Sequence, residues 1–326
     1  MEITTHQQSI IPTADREALI LAFISSLDVS PSSRQTYSRA IKQFFYWMDG
    51  KNYSLSQLTR VEVLEYKDHL HAGRSNLSAS AYITALKKFY AWAESSALYP
   101  NIARDIKLPK RKQEFKRQPL LPKEAGKLID YFESKSRRDL ALIHLLLTTG
   151  LRTIEVVRAD IDDITMKRVE DPDTGEILLK NVLMVQGKGK KEKDDFVQLD
   201  DEVLLHLQAY LQTRKHKTGH SPLFVSESNR CADQRLTTRT IRGIVKEGIR
   251  AIGINHKDYT AHSCRHSCGT NLLLSGQSIE TAQRTLRHSN PATTQIYTHT
   301  LTDLRRLQNS GESILATLYR KHRKTA

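Results

Sequence analysis

The sequence predicts a mainly α-helical protein of two domains, the second carrying a small antiparallel β-sheet. Three observations lead there. The chain of 326 residues is about twice the length of a typical single domain. From residue 13 to about 100, apolar residues recur at three-and-four spacing between capping signals. Strand-like runs are confined to one short stretch near residues 176–199.

The first domain, residues 13–104, reads as four helices. An apolar-periodic run extends from about Arg16 to Leu27 and stops at "DVSPSS". "SRQTYSRAIKQFFYWMDG" follows, closed by Gly50 as a helix stop. "TRVE", Thr59 to Glu62, is a capping box that opens a third helix ending near "HAG". "SASAYITALKKFYAWAESS" supplies the fourth, with Tyr82, Leu86, Phe89 and Ala93 on one face. Lys42, Lys87 and Lys88 fall on the polar faces of this small bundle.

Residues 105–119 read as a basic linker. The stretch "RDIKLPKRKQEFKRQPLLPKE" holds three prolines, which exclude a continuous helix. Lys110, Arg111, Lys112, Lys116 and Arg117 crowd it with positive charge. Such a run is ordinarily only solvated, but a linker joining two domains that grip one polyanion has the same composition.

The second domain, residues 120–326, begins with helix patterns at 123–135 and 138–149. "DLALIHLLLTTG" is apolar nearly all round, so it is expected to be a buried core helix ended by Gly150. "LRTIEVVRA" starts another. "EILLKNVLMVQ" and "DDFVQL" are strand-like and flank "GKGKKEK", with "DPDTG" as a turn upstream. This predicts a lysine-rich hairpin tip. After Asp200 the chain returns to helix.

Composition narrows the partner class. A net charge of +14 and a pI near 9.6 call for an acidic partner. No apolar run spans a bilayer and no broad amphipathic basic helix stands out, so a membrane is not expected and nucleic acid leads. The first residues lack a signal-peptide pattern, and three cysteines are too few for a disulfide framework, so a cytoplasmic address is expected. Cys264 and Cys268 share a helix face with His262 and His266, but no second ligand cluster accompanies them, and no metal is expected there. Phosphate-loop, dinucleotide, H-E-x-x-H and G-x-S-x-G signatures are absent.

The remaining candidates are dispersed. His262 and Arg265 in "AHSCRHSCG" lie three residues apart and leave one helix face. Arg152 in "TGLRTIEV" follows a glycine at a helix start, where Glu155 on the next turn can orient it. Lys188 sits between two glycines at the hairpin tip. His288 and Tyr297 fall in "LRHSNPATTQIYTH", nine residues apart. Taken singly, Arg152 is an ordinary surface arginine, Lys188 a solvated lysine and Tyr297 a packing aromatic. On a straight helix nine residues span roughly 13 Å. "SNP" offers a break, with Ser289 or Asn290 as cap and Pro291 as the first residue of a new helix.

As an ordered set, "TTGLRTIEV", "QGKGKKEK", "HSCRHS" and "LRHSNPATTQIYTH" resemble the motifs of the tyrosine recombinase family, the Xer-type recombinases and phage integrases. The resemblance covers nearly the whole chain. It implies an N-terminal four-helix, SAM-like core-binding domain and a mostly helical catalytic domain. Two positions depart from the family pattern: Arg287 stands where glycine is usual, and Cys264 where a larger apolar residue is usual.

The resemblance implies a site-specific recombinase that breaks and rejoins DNA through a 3′-phosphotyrosine. It assigns Tyr297 as nucleophile and Arg152 and Arg265 as clamps on the non-bridging oxygens. Lys188 would protonate the leaving 5′-oxygen, His262 would serve the tyrosine proton, and His288 would donate to the phosphate. No cofactor is implied, because bond energy is conserved in the phosphotyrosine. The implied partner is double-stranded DNA with specific recombination sites, contacted by Lys87, Lys88 and the basic linker residues. A homotetramer on two sites is implied too, with the tail "TDLRRLQNSGESILATLYRKHR", apolar along Leu304, Leu307, Ile314 and Leu318, exchanged between subunits; docking on its own chain is the alternative. A type IB topoisomerase and a DNA-binding relative without catalysis are the alternatives.

Overall fold

The computed structural model describes residues 16–109, 117–171, 174–187, 190, 192–214, 220–288, 290, 293–294, 297–298, 302, 306 and 311–323. The chain divides into two compact units, Met1–Glu114 and Phe115–Ala326.

The first unit holds α1 (Arg16–Ser25), α2 (Pro31–Gly50), α3 (Arg60–Gly73) and α4 (Asn76–Ser95). The capping box is present: Glu62 accepts the Thr59 N–H at 2.6 Å, while Thr59 Oγ1 accepts from Val61. α2 and α4 start with Ser30 and Ser75 as caps. Their apolar faces meet in an aromatic core of Phe23, Phe44, Tyr66, Phe89 and Tyr90, all essentially buried. Edge-on contacts such as Phe44–Tyr66, 4.9 Å between centroids, lock it. Lys88 is exposed, but Lys87 is half-buried and donates to the Ile106 carbonyl at 3.1 Å. The chain after α4 folds back there and engages the Lys87 ammonium.

The second unit opens with α5 (Pro122–Glu133) and α6 (Arg137–Thr149). Residues 141–147 of α6 are all buried, as its uniformly apolar sequence demands. Gly150 ends α6 in the left-handed region (φ 59°), where an added Cβ would come within 2.5 Å of Leu286. α7 (Thr153–Arg158) follows at once.

The sheet has three antiparallel strands in the order β1 (Ile164–Glu170), β2 (Ile177–Val185), β3 (Asp195–Gln198). The pairs Ile164–Leu183 and Glu170–Ile177 set the first register, and Val182–Gln198 and Val185–Asp195 the second. β1 was not foreseen. "ITMKRVE" is a charged edge strand with little buried surface, held by β2 across the turn at Asp171–Gly175. Beyond it run α8 (Asp201–Thr213), α9 (Thr238–Ala251), α10 (Ala261–Leu274), α11 (Ile279–Leu286) and α12 (Gly311–Arg323). On α12, Ile314, Leu315, Leu318 and Tyr319 are exposed. Leu304 and Leu307 lie outside the described residues. No helix among the described residues is long and apolar enough to cross a membrane.

Candidate active site

α6, α7, α10 and α11 converge where five of the sequence candidates meet. Arg152 is the residue before α7. Its N–H donates to Glu155 Oε2 at 2.8 Å and its guanidinium to Oε1 at 2.7 Å. Glu155 is 1% exposed, so its carboxylate fixes Arg152 from below while the guanidinium stays partly open. The orienting role read from the sequence for Glu155 is met geometrically.

Arg265 comes from the second turn of α10 and is 2% exposed. It donates to the Gly150 carbonyl at 2.6 Å and to the Leu286 carbonyl, the ends of α6 and α11. Desolvation, then the Arg152 charge, push its pKa down to about 10, so it remains a cation at neutral pH. His262, one turn earlier, has its outer edge exposed. Desolvation and the charges of Arg265 and Arg152 lower its pKa, favouring a neutral ring that can accept a proton.

α11 ends at Arg287 in the left-handed region (φ 52°), and the chain turns there. Its guanidinium is buried and reaches back to Glu155 Oε2 at 2.8 Å and to Asp195 of β3 at 3.3 Å. Thus the departure from the family's glycine builds an ion pair to the carboxylate that holds Arg152. Next, His288 shares a hydrogen bond of 2.9 Å between Nδ1 and Thr294 Oγ1. Its ring lies parallel to that of Tyr297 at 5°, centroids 6.1 Å apart. The reversal demanded by the nine-residue spacing therefore occurs. Ser289 and Pro291, offered as its cap and helix start, lie outside the described residues.

Tyr297 is 3% exposed and packs with Cys268, Leu273, Ala282 and Leu286. Gly269 of α10 makes room, since a Cβ there would stand 3.0 Å from the phenol ring. Desolvation pushes the phenol up to about 12, with Arg265 opposing. The packing reading and the chemical reading of Tyr297 therefore describe one residue. His266, noted from the sequence only beside the cysteines, lies 5.5 Å from the Tyr297 ring and 5.3 Å from the His262 ring. Burial drives both His266 and His288 down to about 4. Cys264 is fully buried, and Cys268 donates to the Thr148 carbonyl.

Two open hollows flank this centre. One, about 360 Å³, is lined by Arg152, Glu155, Gly187, Lys190, Asp195 and Arg287. The hairpin that carries Lys188 thus borders Arg152, although Lys188 itself lies outside the described residues. So do Lys110, Arg111, Lys112 and Lys116. The other, about 440 Å³, is lined by Arg117, Thr153, Arg242, Thr260 and His262. Arg242 was not singled out from the sequence, because a lone arginine on an amphipathic helix carries no signal.

Cations and imidazoles grouped around a sequestered phenol define a centre for acting on a phosphodiester. The family model "Phage integrase family" matches residues 118–303, and "Phage integrase, N-terminal SAM-like domain" matches residues 21–96. The chain belongs to the phage integrase family of tyrosine recombinases, enzymes that cleave and rejoin DNA. It is 30% identical to tyrosine recombinase XerD of Lacticaseibacillus casei, over 86% of this chain and 93% of that one. With tyrosine recombinase XerA of Pyrococcus furiosus it shares 29% over 87% and 90%. Among solved structures, XerH site-specific recombinase bound to its palindromic difH substrate superposes with a TM-score of 0.69. That match covers 94% of this chain and 91% of the other at 19% identity. A lambda integrase tetramer bound to a Holliday junction gives 0.62, over 88% and 80% at 16% identity. The relatives favour the recombinases over the topoisomerase alternative.

Proposed function

We propose that Tyr297 attacks a DNA phosphodiester while Arg152 and Arg265 hold its non-bridging oxygens. The phenol oxygen bonds to phosphorus and the bond from phosphorus to the 5′-oxygen breaks, leaving a 3′-phosphotyrosine and a 5′-hydroxyl. His262 takes the phenol proton, and Lys188 gives a proton to the leaving oxygen. His288 donates to a phosphate oxygen. Glu155 and Arg287 position Arg152. Each proton transfer is worth about 10²–10⁴-fold. The observation that carries this reading is the stacked His288–Tyr297 pair beside the double-clamped Arg265. A pKa of about 12 keeps Tyr297 neutral at pH 7, so the phosphate's arrival and a base must act together.

The partner is double-stranded DNA bearing specific sites, in the cytoplasm. Residues 13–104 serve as the core-binding domain, residues 105–119 as the basic linker and residues 120–326 as the catalytic domain. Lys88 and the linker cations Lys110, Arg111, Lys112, Lys116 and Arg117 contact its backbone; Lys87 would first have to leave the Ile106 carbonyl. Arg242 and Arg117 suit a neighbouring phosphate beside His262. Assembly as a tetramer on two sites accords with the exposed apolar side of α12, which would be covered by a neighbouring subunit.

The test is a DNA duplex nicked beside the cleavage point, so that the released strand diffuses away. The protein should become covalently trapped, and Tyr297→Phe should bind the duplex without an adduct. Tight binding with no adduct from the unaltered protein overturns the reading.

A further inference from the structure

We propose that His144, Glu202 and His206 form a site for one divalent transition-metal ion, zinc by preference, apart from the Tyr297 centre. The three donor groups lie within 4.8 Å of one another. Glu202 and His206 occupy successive turns of α8 at i and i+4, so both side chains rise on one face. His144 meets them from α6, where it is 3% exposed within an otherwise apolar stretch.

Leu142 and Leu145 of α6 and Val203 and Leu207 of α8 are buried in one apolar core. Two imidazoles and a carboxylate have no packing reason to gather there. The His144 and His206 rings stack at 4.2 Å with 28° between planes, so they meet by their faces and do not hydrogen-bond to each other. Among the described residues no hydrogen bond or ion pair occupies the donor atoms of the three side chains. His206 is half-buried and Glu202 exposed, giving an ion a solvent path and room for a water as fourth ligand.

The donor set selects the metal. Neutral imidazoles suit late first-row divalent ions, whereas magnesium and calcium take oxygen donors. Bonds of about 2.0–2.1 Å to a tetrahedral ion require donors about 3.4 Å apart. Closing from 4.8 Å asks only for rotation of Glu202 and His206, the two side chains with space to turn. The bound ion would fasten α6 to α8. His144 precedes Gly150 by six residues, roughly 9 Å of helix, so the brace would stiffen the helix from which the Arg152 loop departs.

The test uses the full chain, stripped with a chelator and titrated with zinc chloride, with magnesium as control. One zinc per chain should bind saturably and raise the unfolding midpoint, while magnesium should not. Cobalt should give visible ligand-field bands without a thiolate charge-transfer band, which separates this site from the three cysteines. Glu202→Gln and His206→Gln should each weaken zinc binding by more than the roughly 10–100-fold that losing a ligand's supporting partner costs. Their zinc-free midpoints check that the fold survives. Unchanged zinc affinity in the double variant, a thiolate band, or no saturable binding would each overturn the proposal, and none depends on the DNA chemistry.

Discussion

Arg287 and Glu155 lie 132 residues apart in sequence and 2.8 Å apart in space, and the same carboxylate holds Arg152 at 2.7 Å. Arg287 occupies a left-handed position that disfavours a side chain by about 1–2 kcal/mol. Breaking a buried pair costs about 3–5 kcal/mol, so the ion pair outweighs the strain. Arg287→Gly should therefore lower stability by roughly 1–4 kcal/mol even though glycine relieves the backbone. Chemical denaturation checks the sign; a more stable variant would show that the pair contributes little.

Arg265 reaches two carbonyls at once through its planar fork. A lysine ammonium lacks that rigid planar fork. Arg265→Lys should slow cleavage by about 10²–10³-fold, the usual cost of one lost charge-stabilising donor. Single-turnover cleavage of the nicked duplex measures it, and a near-normal rate would remove Arg265 from the clamp.

Gly269 admits the Tyr297 ring, and an added Cβ would also stand 2.8 Å from Leu286. Gly269→Ala should cost about 1–3 kcal/mol by overpacking and displace Tyr297. The expected signature is a change in cleavage rate with DNA affinity unaltered. Equal loss of both would point to general unfolding.

Acid should loosen the second unit. His266 and His288 have pKa values held down to about 4 against an ordinary 6.5. Between these values the unfolded chain binds more protons, so stability falls as pH drops from about 6.5 to 4. His288→Gln should flatten part of that decline in melting curves. DNA should oppose it, because a phosphate raises the imidazole pKa.

Binding should respond steeply to salt. If about 6–10 phosphates are neutralised, affinity falls about 10³–10⁵-fold between 50 and 200 mM salt. Neutralising Arg117 and Arg242 should reduce the slope by about one each, if each contacts one phosphate.

Local signals in the sequence located most elements, because caps and apolar periodicity act over a few residues. The Thr59–Glu62 box and the uniformly apolar α6 are examples. The His288–Tyr297 reversal was legible once the resemblance asked both residues to serve one phosphate, since a straight helix would hold them roughly 13 Å apart. β1 was not, since a charged edge strand owes its existence to β2. Nor was the engagement of Lys87 with Ile106, or the Arg287–Glu155 pair: both depend on where distant segments return. The candidate residues were visible as types and order, while the partners that surround them were not, because a motif records identity and says nothing of what packs around it.

The Arg265 guanidinium, proposed to grip the phosphate, also rivets the last carbonyls of two helices. Function and architecture therefore draw on the same five N–H groups. A lineage that drifted towards simple DNA binding would have little to gain by discarding this arginine. Its loss would strand two buried carbonyls as well as silence the chemistry. The fold therefore has its own stake in the residue proposed as the clamp.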